Sequence, residues 1–134
     1  IALVAVGWLL SSGGVSWMIG NFTKASVGVD PQRDVRDEAG LSRVGGFLYA
    51  TWRWRQAASV FETARTRYGV NGANYYYNTY RLAKCYDRLK RYQETVDLYR
   101  ELIAVQAHSI DKRVPYTDSI NKWTNELIEM HALK

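Results

Sequence analysis

A single cysteine, Cys85, stands in a chain of 134 residues, which rules out an internal disulfide and any fold stapled by cystines. There is no Gly-rich phosphate loop and no metal-ligand spacing of His, Cys, Asp or Glu; the two histidines, His108 and His131, are far apart in sequence. Acidic residues are scattered over polar faces and do not converge on a base or a nucleophile, so no catalytic residue, metal or cofactor is expected. From Asp37 onward no segment alternates as a strand does. Charge is missing altogether from Ile1 to Gly20, and this last absence is the most informative.

Twenty apolar or small residues at a helical rise of ~1.5 Å match a hydrocarbon core ~30 Å thick, so residues 1–20 are expected to form one transmembrane helix. The chain opens on Ile1 and not on Met, so residues are expected to precede it or to have been removed. The run is longer than the apolar core of a secretory signal and holds Trp8 and Trp17, which fits a retained anchor; its Ser and Gly content leaves a buried or membrane-surface helix as the second reading. Gly7 with Ser11, and Ser12 with Ser16 and Gly20, recur every fourth residue and would stack on one face. Small residues so placed let a neighbouring helix backbone approach closely, the means of helix association where lipid gives no hydrophobic drive. Leu3, Leu10 and Trp17 are expected to face lipid.

Residues 21–36 read as a connector. Within it Asp30 and Pro31 have the character of a helix start, an aspartate cap before a first-turn proline. Lys24, Arg33 and Arg36 follow the apolar run, which by the positive-inside tendency places the remaining chain on the cytoplasmic side. Asn21-Phe22-Thr23 has the form of a glycosylation acceptor, but at an expected membrane boundary it is read as coincidental.

Residues 37–134 are expected to form one helical domain, and their apolar spacing repeats. Leu82, Ala83, Tyr86, Tyr92, Thr95, Tyr99 and Leu102 describe two amphipathic helices joined at Lys90-Arg91, with the small residues where the helices must meet. Val44, Gly45, Leu48, Trp54, Ala57, Phe61 and Ala64 set out the same pattern in an earlier copy. The segment from Tyr68 to Asn74, rich in Gly and Asn, supplies the connection. A last apolar stripe, Ile120, Trp123, Leu127, Ile128 and Met130, follows Pro115 and reads as a capping helix for the exposed end of a solenoid.

These positions resemble the tetratricopeptide repeat closely in the second copy and in register in the first. The proline that usually closes each repeat is replaced by Gly69 and Ala107. The resemblance implies two helical hairpins, so that with the cap and the expected transmembrane helix before them the fold expected is all-α. It also implies a protein-binding groove made by the first helix of each hairpin. Carried onto this chain, the groove would hold Ser42, Gly46, Tyr49 and Ala50 from the first copy and Tyr77, Tyr80, Lys84, Asp87 and Arg88 from the second. The Asn positions that chaperone-tail binders of this family use to clamp a carboxylate are not reproduced here.

The formal charge of +5 and pI near 9.4 favour acidic partners. Arg81, Lys84, Arg88 and Arg91 fall at three- and four-residue intervals and are expected to form a basic patch on one helix face, suited to an acidic peptide or to anionic lipid headgroups. Tyr75-Tyr76-Tyr77 beside these cations raises base stacking, but no nucleic-acid motif accompanies it. Trp52 and Trp54 alternate with Arg53 and Arg55 in the first hairpin's turn, with Trp54 expected in the core and Trp52 exposed. The function expected is that of a non-catalytic accessory or scaffold subunit of a larger membrane complex. A membrane receptor that takes client segments in its groove comes second, and a soluble nucleic-acid-binding helical protein third.

Overall fold

The computed structural model describes residues 1–134, apart from the side chain of Leu10, and among them every regular element is helical. In chain order these are α1 (Ala2–Leu10), α2 (Ser12–Thr23), α3 (Pro31–Ala50), α4 (Trp54–Tyr68), α5 (Tyr75–Arg88), α6 (Tyr92–Ala104), α7 (Ala107–Ile110) and α8 (Thr117–His131), with a short 3-10 turn at Gly69–Asn71. From α2 to α6 each long helix packs on the one before it, and α8 closes the row against α6.

Helix α3 starts where its cap signal lies. Asp30 accepts hydrogen bonds from the Gln32 and Arg33 amides at 3.1 and 3.3 Å, and Pro31 opens the first turn. The helix therefore begins at Pro31, inside the stretch read as a connector, where Asp30 and Pro31 signalled a start. At the far end α8 starts at Thr117, just after Pro115, and buries Ile120 and Thr124 with Trp123 and Leu127 half-buried. Met130 is 73% exposed and leaves the expected stripe. Instead His131 stacks on Tyr92 at 3.8 Å, fastening the end of α8 to the start of α6.

The two hairpin turns are built alike. Trp52 and Lys90 both adopt left-handed backbone, with φ of 61° and 62°. The next amide in each turn folds back on its helix: Arg53 N donates to Leu48 O at 2.9 Å, and Arg91 N to Tyr86 O at 2.8 Å. Between the helices one core gathers Leu41, Leu48, Val60, Phe61 and Leu82, and a second gathers Ala83, Tyr99, Leu102, Val114 and Ile120. A Cβ on Gly45 would lie 2.5 Å from the Phe61 ring, so glycine is what lets α3 and α4 meet there.

The stretch from Ile1 to Thr23 departs from the single helix expected over residues 1–20. It forms two helices bent by 75° at a break, and among the described residues no single helix is long and apolar enough to cross a membrane. The cause is local. Ser11 is extended (φ −73°, ψ 163°), and its hydroxyl accepts from the Gly14 amide at 3.1 Å while donating to the Trp8 carbonyl, so it caps α2. A Cβ on Gly14 would collide with the Trp8 carbonyl, so the close turn depends on glycine there. Ser11 is thus a cap and not a packing position.

The bend sends the halves of the segment to different places. Val15 of α2 is buried in the first core, with Met18, Ile19 and Phe22 packed against it; the Phe22 ring fills the space a Cβ on Gly40 of α3 would need. Helix α1 packs chiefly on α2. Leu3 and Trp17, expected to face lipid, are exposed, while the side chain of Leu10 lies outside the described residues. Of the small residues expected to pair with another helix, Gly7, Ser12 and Ser16 are exposed, and Gly7 and Gly20 have open space where a Cβ would stand.

Candidate functional site

The residues expected to line a groove lie on α3 and α5, the first helices of the two hairpins. Their facing sides are held by a polar ladder. Near the N-terminal ends the buried Glu38 carboxylate accepts from the Asn74 amide at 3.1 Å and from its side chain at 3.0 Å. One turn on, Ser42 Oγ donates to Asn78 Oδ1 at 2.9 Å. Arg81 Nη2 then donates to Ser42 Oγ, Ser42 O and Asn78 Oδ1 at 2.6, 3.2 and 3.0 Å. Two donors in this cluster, Asn78 Nδ2 and Arg81 Nε, are buried without an acceptor. Such groups are costly to leave unmade, so they mark where an acceptor would be favoured.

Arg81 is therefore a tie between helices and not part of a free basic patch. Its guanidinium lies over the rings of Phe61 at 4.5 Å and Tyr77 at 4.2 Å, and burial pulls its pKa down from the usual arginine range. Its end also occupies the space beside Gly46, 2.7 Å from where a Cβ would stand. The other three expected patch residues each lie against an aromatic ring. Lys84 lies 5.8 Å from Trp123 of α8, Arg88 5.5 Å from Trp54 of α4, and Arg91 4.4 Å from Tyr86. Arg91 is further held by both oxygens of Glu94, at 2.7 and 2.5 Å, which raises its pKa chiefly through that hydrogen bond. Along α5 and the turn after it the cations thus lie against neighbouring rings, with Arg88 and Arg91 exposed and Lys84 half-buried.

The remaining groove residues divide in the same way. Ser42 is consumed by the ladder. Tyr49 is half-buried, edge-on to Trp54 at 5.0 Å, and burial raises its hydroxyl pKa. Tyr80 is half-buried against the second core, its pKa also raised by burial; Asp87 is half-buried, and Ala50 is exposed. Tyr77 faces a recess of about 300 Å³ between α3, α5 and the loop after α7, lined by Ala39, Ser42, Arg43, Asn74, Tyr77, Arg81 and Arg113. No carboxylate lines it. Arg113 lies over the Tyr77 ring at 4.5 Å and is held by Asp111 through bonds of 3.0 and 2.7 Å, which raise the arginine pKa and lower that of the aspartate. Arg43 is exposed and forms no ion pair among the described residues.

Sequence reasoning missed Arg43, Asn78 and Arg113. Arg43 and Asn78 lie within the repeat register, beside or one turn from expected groove positions, so helical spacing carried a signal for them. Arg113 arrives from an irregular loop and had none. Trp52, expected exposed, is 78% exposed, and Trp54 is half-buried beneath Arg88. Cys85 is fully buried, and burial pushes its thiol pKa up to about 12. His108 Nδ1 lies 2.7 Å from the Val114 carbonyl and His131 is stacked on Tyr92, so the three residues are engaged in separate contacts. Among the described residues no three His, Cys, Asp or Glu side chains gather as metal ligands would. No protein-family model, curated protein or solved structure matches the chain.

Proposed function

We propose that this chain is a non-catalytic accessory subunit of a larger membrane protein complex. On this reading its apolar N-terminal segment holds it at the membrane, and its two tetratricopeptide-like hairpins dock an acidic surface of a partner protein. The observation that carries the docking half is the α3–α5 recess. Arg43, Arg81 and Arg113 gather around Tyr77 with no carboxylate in the lining, and two buried donors beside them lack an acceptor. An acidic side chain entering there would meet an arginine already desolvated, in a setting where charge-assisted hydrogen bonds are strongest. Arginine and tyrosine are also the residue types that most often dominate protein interfaces. Support for the repeat assignment comes from the identically built turns at Trp52 and Lys90 and from the Gly45–Phe61 contact at the position of closest approach.

The test is photocrosslinking in intact membranes from side chains placed at Arg43 and at Ala50, both exposed on α3. Adducts to one protein species from both positions are expected, absent from a third position at Met130 on α8. Absence of adducts at Arg43 and Ala50, or equal labelling from Met130, contradicts the docking face.

A further inference from the structure

Residues 1–23 contain no charged residue, yet α1 and α2 have opposite surroundings. Helix α2 is two-sided: Val15, Met18, Ile19 and Phe22 close the first core, while Ser12 and Ser16 face outward. It serves as the N-terminal cap of the hairpin row, and withdrawing it would uncover Gly40. Helix α1 has no polar side. Every residue from Ala2 to Leu10 is apolar, residues 2–8 are exposed, and the helix packs chiefly on α2. Leu3 is 88% exposed and Val4 76%.

A protein groove covers one stripe of a helix, and a helix bound that way keeps a polar face for water. A helix apolar on every side is matched by a medium that surrounds it, which is hydrocarbon. The bend bears the mark of a boundary as well. Trp8 and Trp17, one on each side of the break, stand with ring centroids 5.7 Å apart and are each about half exposed. Tryptophan collects where hydrocarbon meets headgroups because its ring is apolar and its N–H seeks a wet partner. The hydroxyls of Ser11, Ser12 and Ser16 lie at the break or beyond it.

We infer that the lipid boundary of this protein lies at the α1–α2 break. Helix α1 contacts acyl chains, Trp8 and Trp17 sit at the headgroup level, and α2 remains outside the hydrocarbon as part of the folded domain. This rests on the membrane half of the proposed function and narrows it. The lipid-contacting stretch ends at the break, well before Gly20, whatever precedes Ile1. The domain is then held close against the membrane surface by a rigid helical cap instead of hanging from a flexible connector.

The experiment uses the full chain with one added cysteine, Val4→Cys or Ser16→Cys, both at exposed positions where substitution leaves the core intact. Cys85 is buried and stays unlabelled. Each variant carries a bimane fluorophore and is reconstituted into vesicles of phosphatidylcholine with a minor share of phosphatidylglycerol. Brominated acyl chains or aqueous iodide then act as quenchers. The Val4 label is expected to lose most of its fluorescence to brominated lipid and little to iodide, and the Ser16 label the reverse. Strong quenching of both by brominated lipid would overturn the boundary while keeping the membrane reading, since α2 would have left the core to continue a spanning segment. Quenching of both by iodide alone would overturn the boundary and the membrane reading together, and leave α1 to a protein partner.

Discussion

In the first hairpin the helices meet through glycine against a phenylalanine ring, Gly45 on Phe61, and the residues at the contact, Leu48, Ala57 and Val60, are apolar throughout. In the second, the equivalent places are taken by Ala83, Tyr86, Thr95 and Tyr99. Their polar tips reach across the fold: Thr95 Oγ1 donates to the Ala83 carbonyl at 3.3 Å, and the Tyr86 hydroxyl donates to Glu62 of α4 at 2.7 Å. Tyr75, at the head of α5, donates to Glu101 at 2.5 Å, and Arg65 of α4 completes that cluster. The comparison shows a division of labour. The first hairpin is closed by shape, whereas the second is closed by shape and also carries the hydrogen bonds that fix its neighbours. Helix α5 is the hub, since Asn78 and Arg81, with Asn74 at its cap, tie it to α3 as well.

The apolar contact of the first hairpin is expected to give the largest effects. Phe61→Ala is expected to cost about 3–5 kcal/mol in urea unfolding, because it removes a fully buried ring that Gly45 cannot collapse to fill. A loss under about 1 kcal/mol would place the contact outside the cooperative core. The next change separates packing from helix propensity. Gly45→Ala is expected to destabilise by about 1–3 kcal/mol through overpacking against Phe61, although alanine is the better helix former. In the second hairpin Ala83→Gly is expected to cost about 1 kcal/mol, mainly through propensity. A stabilising Gly45→Ala would mean that α3 and α4 lie further apart than described.

Smaller effects test the polar half. Tyr86→Phe keeps the ring and removes the bond to Glu62, for an expected loss of about 1 kcal/mol. Leu48 offers no such bond to remove. The tyrosines also give the second hairpin an alkaline signature. Tyr75 has its pKa raised to about 12, by burial first and then by the hydrogen bond to Glu101; Tyr86 and Tyr99 are raised in the same direction, chiefly by burial. Each folded pKa lies above the ordinary value of about 10. Folding therefore favours the neutral phenol, and the stability gained is complete below pH ~10 and lost as pH rises above it. For Tyr75 the loss runs up to about pH 12. Chemical denaturation followed across that range should show this decline, shallower in Tyr75→Phe. The smallest effect is chemical: Cys85 should resist thiol reagents near pH ~8 until the chain unfolds, since its thiol is buried and protonated.

Much of this fold was legible because helix pairs leave a register of large and small residues, and Gly45, Phe61, Ala83 and Thr95 sit where that register requires. The offset from Val44 to Leu82, read from sequence, is also the offset between the left-handed turn residues Trp52 and Lys90. What stayed hidden was set by contacts between distant residues. Arg81 reads as one more surface cation until Ser42, from the other hairpin, receives it. Ser11 and Gly14 read equally well as small packing residues or as a helix break, and only the Trp8 carbonyl between them decides. Arg113 belongs to no periodic segment, so nothing in its neighbourhood points to Tyr77.

The proposed membership of a membrane complex is tested most directly by a native gel of the full chain after extraction of native membranes in mild detergent, with the co-migrating proteins identified. The expected result is a fixed-stoichiometry assembly far larger than the chain's own 15.4 kDa, from which Arg43→Glu combined with Arg88→Glu releases the chain. Migration of the chain by itself, unchanged by those substitutions, would contradict it.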